Sequence, residues 1–438
     1  MITDRIDRMV LKFRDVLAET ERLRPDKLRI YQENLLAPLI LHAQSNVPFY
    51  ATRLARLGHG REIGPASWEA VPVLTRAEVQ RHADVLKAST VPPHAGAVTG
   101  GETSGSIGRP VRYLTNELAG VASLGATDRA FRWWQFDGAK TMASFVARTR
   151  EGARPPDGKT VKGWRVGAPG LHYMIDMSAT TNQRIDWLRN RHPHYLTAHS
   201  FTLMELAEQV RARGVELRFE RITSIGTVLT DEIRDACTAV FGARTIDQYG
   251  AQETGLLASE CPWCGEYHVN AETVLVEILD QDGRATAPGA VGRVVATSLY
   301  NYAMPLIRYE IGDLAVAGSQ RQQCPVTLPA LGRILGRYRN AFTLPDGRTV
   351  YPYVPVSRLR QFLSFEQFQI VQTSPDAVEV RYVPLNRDQH VDADGLEACL
   401  RELIDPGLRV HAVAVNEIAR SPSGKFEDYL SLVPRRQN

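Results

Sequence analysis

The sequence predicts an α/β protein with a large N-terminal domain, in which mixed sheets are flanked by helices, and a small α+β C-terminal domain. The length of 438 residues is enough for roughly two or three domains of ordinary size. In the middle of the chain, helical patterns alternate with short apolar runs, which is typical of βαβ units and a largely parallel sheet. Residues 340–438 then form a second compact pattern of strands with one amphipathic helix.

Residues 1–60 are predicted to be largely helical, because apolar residues recur at spacings of three and four and are interrupted at Pro38. These apolar positions include Ile6, Val10, Phe13 and Val16. Between residues 68 and 91, a short loop leads into another helix, for which Thr75 is the expected N-cap. Residues 93–110 are dense in Gly, Ser and Thr and are predicted to form a loop.

The predicted strands of the large domain are short apolar runs bounded by turn residues. The runs are Thr141–Ala147, Tyr195–Ala198, Ile222–Leu229 and Thr245–Tyr249. Strands separated by turns follow at Val274–Leu279 and Gly292–Thr297. In the small domain we expect strands at Val378–Val383 and Val410–Val415, with an amphipathic helix over Asp394–Ile404 between them.

The charge balance and the cysteine content argue against several classes of protein. Fifty-two Lys and Arg residues against 49 Asp and Glu residues leave a net charge of +3, so neither nucleic acid nor an anionic membrane is suggested as a partner. The first 24 residues contain no apolar core of a signal peptide, and no stretch approaches the roughly 18 apolar residues of a membrane span. Five cysteines, an odd number, favour a reducing compartment over a disulfide framework. We therefore expect a cytoplasmic protein.

The segment of residues 100–110 has the composition of an anion-binding loop. Its glycines let backbone N–H groups approach an anion closely, and the hydroxyls of Thr103, Ser104 and Ser106 add donors with little bulk. Arg109 places a positive charge beside them. The spacing is neither that of a Walker A loop nor that of a hydrolase nucleophile elbow. By composition alone, the segment fits a phosphate-binding loop and a surface loop equally well.

Three cysteines and one histidine are spaced as zinc ligands. Cys261 and Cys264 form a Cys-x-x-Cys pair followed by glycine, which is the knuckle geometry that holds tetrahedral zinc. His268 is close enough in sequence to be a third ligand, and Cys324 is the candidate for the fourth. A closed shell of four protein ligands makes a metal structural and not catalytic. The alternatives are a metal-free reduced pair and a redox pair, and the missing second Cys-x-x-Cys argues against a DNA-binding ribbon.

Five short motifs follow one another over more than 300 residues. They are the Gly/Ser/Thr-rich segment 100–110, Tyr-Gly-x-x-Glu at 249–253, Arg-Tyr-x-x-Gly-Asp at 308–313, Arg-Ile-x-Gly-Arg at 333–337 and Gly-Lys at 424–425. In type and order they resemble the motifs of the acyl-adenylate-forming enzymes. The runs Asn46–Tyr50 and Val71–Arg76 make the resemblance closest to the phenylacetate–coenzyme A ligase branch, and it extends over essentially the whole chain.

The resemblance implies a ligase that uses ATP and Mg²⁺ to convert a carboxylic acid to an acyl-adenylate, releases pyrophosphate and passes the acyl group to coenzyme A. It implies an N-terminal adenylate-forming domain, residues 1–336, and a mobile C-terminal domain, residues 337–438. We place a zinc-binding insertion at about residues 261–324 of the first domain. The oligomeric state is left open, a homodimer being one option.

The same resemblance implies roles for individual residues. The nucleotide would be held by Thr103, Ser104, Gly105, Ser106, Gly108, Tyr249, Gly250, Asp313 and Arg337. Glu253 would bind Mg²⁺, Arg109 would add charge where the family usually has Lys, and Lys425 would be the catalytic lysine. Each role has a structural alternative: Tyr249 in the core, Glu253 as a helix cap, Asp313 in a turn, and Arg337 and Lys425 as surface cations.

The sequence leaves open both the carboxylic acid of the first half-reaction and the acyl acceptor of the second. The acyl acceptor is coenzyme A in one reading, and an amine or a carrier protein in the other. Aromatic residues at 131–136 suit a pocket for an aryl acid, but they suit a plain core as well.

The family's adenine-facing loop corresponds only loosely to Ser224–Leu229, and His199 faces either the cleft or the core. A catalytically silent binding protein on the same scaffold is disfavoured, because the phosphate loop, Glu253 and Lys425 are all retained.

Overall fold

The structure is a computed structural model of the chain. It describes residues 5–57, 63–103, 110–147, 152–319, 324–337, 341–350, 352, 354, 356–385, 391–418 and 428–433. The chain divides into two compact units, residues 1–334 and residues 335–438. This division lies two residues before the domain boundary that we expected from the motifs.

Eleven α-helices lie in the described ranges. They are α1 (Arg5–Thr20), α2 (Pro25–Asn46), α3 (Tyr50–Arg53), α4 (Pro65–Glu69), α5 (Arg76–Arg81), α6 (Glu117–Trp133), α7 (Thr181–Arg191), α8 (Ser200–Arg213), α9 (Asp231–Phe241), α10 (Val356–Leu359) and α11 (Ala393–Leu403). Thr75 caps α5 through a reciprocal capping box with Glu78, as its sequence position predicts. None of the helices built from described residues is both long and apolar enough to cross a membrane.

Fourteen strands of the described residues begin in the first unit, and the last of them ends in the second. They are β1 (Val98–Glu102), β2 (Arg112–Asn116), β3 (Met142–Val146), β4 (Lys159–Lys162), β5 (Leu171–Asp176), β6 (Tyr195–His199), β7 (Arg221–Ile225), β8 (Arg244–Ala251), β9 (Gly255–Glu260), β10 (Tyr267–Val269), β11 (Val274–Leu279), β12 (Val291–Ser298), β13 (Tyr309–Ala317) and β14 (Ala330–Arg337). Strands β1 and β2 form an antiparallel ribbon of their own.

The other twelve strands form one sheet in the order β11-β12-β13-β14-β10-β9-β8-β7-β6-β3-β5-β4. Strands β5, β3, β6, β7 and β8 are parallel neighbours, whereas β4 is antiparallel to β5 and β9 is antiparallel to β8. The sheet is therefore mixed, with a parallel half built from βαβ units and an antiparallel half built from hairpins. The predicted fold class is confirmed.

Two hydrophobic clusters cover the sheet of the first unit. Helices α7, α8 and α9 pack against the parallel strands and bury Ile185, Leu203 and Phe241. A larger cluster joins α2 to the antiparallel strands and includes Ile40 and Tyr309. Burial of these side chains is the main favourable term that holds the helices against the sheet.

The second unit is a small α+β structure. It contains β15 (Phe342–Thr343), β16 (Thr349–Val350), β17 (Phe365–Ser374), β18 (Ala377–Pro384), β19 (Arg409–Ala414) and β20 (Tyr429–Ser431). Its main sheet has the order β19-β18-β17-β20, and α11 buries Leu396 and Leu400 in the core of the unit. The strands predicted at 378–383 and 410–415 and the helix predicted at 394–404 correspond to β18, β19 and α11.

Three local predictions were wrong. Helix α2 continues through Pro38, because Leu36, Leu39 and Ile40 are buried around it and this packing outweighs the lost backbone hydrogen bond. Helix α5 ends at Arg81 and does not extend toward residue 91.

The segment predicted as a loop at 93–110 also contains a strand, β1 (Val98–Glu102). Strand β1 pairs with β2, and a Cβ on Gly101 would lie 2.5 Å from the Tyr113 hydroxyl. The glycine is therefore required for the tyrosine to cross the ribbon.

Candidate nucleotide and metal sites

Two of the predicted nucleotide-binding residues, Tyr249 and Asp313, meet near the carboxyl end of strand β8. Strands β6, β7 and β8 all end on this edge of the sheet, where ligands of open α/β sheets bind. The Tyr249 hydroxyl donates a hydrogen bond of 2.9 Å to Asp313 Oδ2, and both side chains are buried. Two residues from separate motifs therefore form one polar pair.

A local irregularity of β13 determines the position of Asp313. Glu310 pairs with Val295, but Leu314 pairs with Arg293, so residues 311–313 form a bulge in the β12–β13 ladder. Within it, Gly312 has a φ of +92°, a conformation that suits glycine. Bulges of this kind redirect side chains near binding sites, and this one replaces the simple turn considered from the sequence.

Gly250 has a conformational role where β8 turns into β9. A Cβ at this position would lie 2.7 Å from the Gly255 carbonyl oxygen. The register of the β8–β9 pair shifts between Tyr249 and Gly250. The residue thus permits the tight turn that carries Glu253.

Glu253 lies in the turn between β8 and β9, and not at a helix N-terminus, so the helix-cap alternative was wrong. The residue is buried, and its Oε1 accepts a hydrogen bond of 3.1 Å from the Tyr309 hydroxyl. Arg76 Nη1 lies 3.8 Å from the same oxygen. The carboxylate is therefore buried beside one donor and one cation, an arrangement able to accept a divalent ion.

Thr103, at the start of the predicted phosphate loop, belongs to the same cluster. Arg76 Nη2 donates to Thr103 Oγ1 at 3.0 Å, and the backbone N–H of Val111 donates to that oxygen at 2.9 Å. Since the guanidinium of Arg76 also faces Glu253, it connects the phosphate-loop motif with the Tyr-Gly-x-x-Glu motif.

Arg76 and Tyr309 are the two site residues to which the sequence analysis assigned no role. Leu74 forms a β-bridge with Tyr309: its N–H donates to Arg308 O at 2.8 Å, and its carbonyl accepts from Glu310 N at 2.9 Å. The bridge holds α5 against β13 and so brings Arg76 close to Glu253. Both residues lie in runs that support the family resemblance, Val71–Arg76 and residues 308–313, and that position was the available signal.

Several predicted site residues lie outside the described residues. These are Ser104, Gly105, Ser106, Gly108, Arg109 and Lys425. Arg337 is described as the last residue of β14 and belongs to the second unit. The roles of these seven residues stay predictions.

The loosely matched adenine loop follows β7. Ser200, at the start of α8, has its Oγ 2.6 Å from Thr227 Oγ1 and donates to the Val228 carbonyl at 2.8 Å. His199 is half-buried, and its Nδ1 lies 2.9 Å from the Ile225 carbonyl. These contacts hold the loop that follows β7 to the residues at the end of β6. Tyr249 lies on β8, the strand next to β7.

The aromatic cluster at 131–136 is largely core. Trp133, Trp134 and Phe136 are buried in the main hydrophobic cluster. The indole of Trp133 donates to Glu21 at 2.9 Å, and that of Trp134 donates to the Glu260 carbonyl at 2.8 Å. For these three residues the plain-core alternative applies.

The four predicted metal ligands come together in the first unit. The ligand atoms of Cys261, Cys264, His268 and Cys324 all lie within 4.8 Å of one another. The Cys261 and Cys324 sulfurs are 3.6 Å apart, and His268 Nε2 lies 3.2 Å from Cys324 Sγ and 3.6 Å from Cys264 Sγ. A tetrahedral ion with bonds of about 2.3 Å to sulfur separates its ligands by about 3.8 Å, so the arrangement fits such an ion.

The second nitrogen of His268 fixes the orientation of the ring. Nδ1 lies 2.9 Å from the Leu328 carbonyl, which can only accept, so Nδ1 carries the proton and Nε2 presents its lone pair to the thiols. Burial lowers the pKa of His268 and raises the pKa of the Cys261 and Cys264 thiols. A bound cation would favour the thiolate forms of these cysteines by offsetting their charge.

A buried polar network joins this hairpin to β8. Asp247 Oδ2 accepts a hydrogen bond of 2.9 Å from the Tyr267 hydroxyl, and the Asp247 N–H donates to Glu260 at 2.9 Å. Arg234 donates to both carboxylate oxygens of Glu260, at 2.9 and 3.2 Å. Burial raises the pKa of Asp247 to about 6, because the charged form loses its solvation.

Comparisons with known proteins show what the whole chain is similar to. The chain is 25% identical to a phenylacetate–coenzyme A ligase of Thermus thermophilus, over 94% of this chain and 98% of the relative. It is 25% identical to the phenylacetate–coenzyme A ligase of Pseudomonas putida, over 93% of this chain and 95% of the relative. No family model matches the sequence.

A solved structure gives the same picture of the fold. A crystal structure of 2-hydroxyisobutyryl-CoA ligase in the postadenylation state, in complex with 2-HIB-AMP, aligns with a TM-score of 0.71 at 18% identity and covers 92% of this chain and 89% of that chain. The resemblance predicted from the motifs is thus confirmed: along nearly its whole length the chain is similar to phenylacetate–coenzyme A ligases, and it has the fold of the acyl-adenylate-forming enzymes.

Proposed function

We propose that this protein is an AMP-forming carboxylate–coenzyme A ligase. It joins a carboxylic acid to the α-phosphoryl group of ATP, releases pyrophosphate, and transfers the acyl group from the adenylate to the thiol of coenzyme A. The observation that carries the proposal is the convergence of Thr103, Arg76 and Glu253 with the Tyr249–Asp313 pair in one unit of the fold. The relatives are themselves coenzyme A ligases by name.

Each of the described site residues contacts a different part of the nucleotide or its metal ion. Tyr249 lies against the adenosine, and Asp313 accepts hydrogen bonds from the ribose hydroxyls. Thr103 donates to the phosphates, and Glu253 holds Mg²⁺, a hard ion that prefers carboxylate and phosphate oxygens. Arg109, Arg337 and Lys425 add positive charge to the nucleotide, and Lys425 is delivered by the C-terminal domain.

The chemical problem is repulsion, because a negatively charged carboxylate must attack the phosphorus of a polyanion. Cations and oriented donors lower this barrier more than any acid or base group does. Bound to Glu253, Mg²⁺ supplies charge neutralisation at the phosphates. Glu253 and Asp313 are buried, so water is largely excluded from their carboxylates and their electrostatic interactions are stronger than in water.

The cysteine and histidine cluster serves stability and not catalysis. Four protein ligands close the coordination shell of zinc, so no position is left for a substrate. Zinc there fastens the β9–β10 hairpin to residue 324. Thiols used in this way fit a reducing compartment, and we place the protein in the cytoplasm.

Acid-dependent pyrophosphate release tests the proposed function. We expect the purified protein with ATP, Mg²⁺ and a panel of aryl and alkyl acids to release pyrophosphate with at least one acid, and to form a thioester only when coenzyme A is added. Asp313→Asn should raise the KM for ATP about tenfold or more, whereas Asp282→Asn, in an exposed turn, should leave it unchanged. No release with any acid would overturn the proposal, and product formation without coenzyme A would assign the acceptor to an amine or a carrier protein.

A further inference from the structure

Arg76 is the cation that faces the buried carboxylate of Glu253. Its Nη1 lies 3.8 Å from Glu253 Oε1, while its Nη2 donates to Thr103 Oγ1 at 3.0 Å. The Glu253 side chain is 3% exposed and that of Arg76 is 25% exposed, so the cation is the more accessible member of the pair. An Arg side chain therefore lies between the first residue of the phosphate loop and the proposed magnesium ligand.

The backbone holds Arg76 in this place. The Thr75–Glu78 capping box fixes the start of α5, and Arg53 donates to Glu78 Oε1 at 2.8 Å. The Leu74 bridge to Tyr309 ties the preceding residues to β13, and the Tyr309 hydroxyl donates to Glu253. Arg76 and Glu253 are thus oriented by the same strand, and little side-chain freedom remains to be lost when a ligand binds.

The charges predict an exchange of partners. Without a ligand, Arg76 offsets a buried carboxylate that would otherwise be costly. Glu253 would hold a magnesium ion whose positive charge would offset the carboxylate, and the guanidinium of Arg76 could then face another anion. A guanidinium has five N–H donors in a planar fork that matches phosphate oxygens. Thr103 faces Nη2 and Glu253 faces Nη1, and each of these nitrogens carries two N–H groups, so donors remain for a phosphate.

We propose that Arg76 is a phosphate-binding catalytic residue that contacts the β- and γ-phosphoryl groups of ATP and stabilises the departing pyrophosphate. This inference rests on the proposed function. In the adenylation step, a carboxylate oxygen bonds to the α-phosphorus, the bond from that phosphorus to the bridging oxygen of pyrophosphate breaks, and its electron pair stays on pyrophosphate. Arg76 faces the negative charge that accumulates there.

Nucleotide binding by Arg76→Gln, measured by calorimetry, tests the proposal without any turnover. We expect the Kd for ATP with Mg²⁺, in the absence of a carboxylic acid, to rise about tenfold or more, because a charge-assisted phosphate contact is lost. The Kd for AMP, which lacks the β- and γ-phosphates, should change less than about twofold. The Kd of Arg76→Lys for ATP should lie between those of the wild type and Arg76→Gln. Arg81, exposed at the end of the same helix, is the control, and Arg81→Gln should bind both nucleotides like the wild type.

The two nucleotides also separate a binding role from a structural one. Equal weakening of ATP and AMP binding would mean that Arg76 only supports the fold, and unchanged ATP binding would mean that it does not touch the phosphates; either result overturns the proposal. Formation of thioester from supplied acyl-AMP should be unaffected in Arg76→Gln, since pyrophosphate has already left. If the wild type releases pyrophosphate but Arg76→Gln binds ATP as tightly as the wild type, this inference alone is refuted. If the wild type releases no pyrophosphate with any acid, the proposed function is refuted.

Discussion

The hydroxyl of Tyr249 donates a 2.9 Å hydrogen bond to Asp313, across 64 residues of sequence. Because both side chains are buried, the bond orients the carboxylate of Asp313 before a nucleotide arrives. The bulge at Gly312 and the turn at Gly250 are the two backbone features that allow it. The pair is a buried, hydrogen-bonded part of the proposed nucleotide site, and its removal has a defined consequence.

Tyr249→Phe should raise the KM for ATP about fivefold with little change in kcat. The ring remains, but Asp313 loses a donor worth about 1 kcal/mol, and its orientation toward the ribose is weakened. Steady-state pyrophosphate release measures the effect. Tyr173→Phe, on β5, serves as the matched control. A loss of kcat with unchanged KM would show that the pair acts on the chemical step instead.

Lys425→Ala should reduce adenylation about 100-fold or more and thioester formation from supplied acyl-AMP less than about threefold. The lysine is proposed to offset charge only while the α-phosphoryl group is attacked, and one such electrostatic contact is worth that much. The two half-reactions are assayed separately, with exposed Lys27→Ala as the control. Equal losses in both half-reactions would remove Lys425 from this role.

Metal analysis should find about one zinc per chain, and Cys264→Ser should lose it. Loss of the ion leaves the thiols and His268 crowded without a cation, so the thermal unfolding midpoint should fall by several degrees. Cys399→Ala, at a buried cysteine of the second unit, should keep the zinc. Wild-type protein that is fully folded yet contains no metal would contradict the assignment.

The buried carboxyl of Asp247 predicts a dependence of stability on pH. Its pKa of about 6 in the folded protein is above the value of about 3.9 expected in the unfolded chain, so its protonation stabilises the fold at low pH. That contribution is lost as the pH rises from about 4 to about 6. The difference is on the order of 3 kcal/mol.

Urea unfolding of the wild type and of Asp247→Asn between pH 4 and 8 measures this contribution. Tyr267, Glu260 and Arg234 face the group in both proteins, so their titration largely cancels in the comparison. The free energy of unfolding of the wild type should fall relative to the variant as the pH rises through this window. If the free energy of unfolding of the wild type minus that of the variant stays constant or increases with pH, the raised pKa of Asp247 is refuted.

Much of the candidate site could be predicted from the sequence, because its residues lie in short motifs. Tyr249, Glu253 and Asp313 are each recognisable within six residues or fewer, and the candidate metal ligands have a typical spacing. The alternation of apolar runs likewise predicted the parallel strands, since each run is buried on both faces. These are local patterns that survive without knowledge of the tertiary structure.

The remainder depends on contacts between distant segments. Arg76 reaches Glu253 only because Leu74 pairs with Tyr309, more than 200 residues away, and no local pattern contains that pairing. The Asp247–Tyr267 bond similarly depends on how the β9–β10 hairpin folds against β8. The predicted interruption of the helix at Pro38 was wrong for the same reason, since the burial of neighbouring residues outweighs the local preference of proline.

The transfer of oxygen from the acid tests the central claim most directly. With an acid that supports pyrophosphate release, labelled with ¹⁸O in its carboxylate, we expect one ¹⁸O atom in the phosphoryl group of the AMP produced, because the attacking oxygen stays on phosphorus when coenzyme A takes the acyl group. Mass spectrometry of the nucleotide measures it. Unlabelled AMP, or ADP in place of AMP, would contradict attack of the acid on the α-phosphorus.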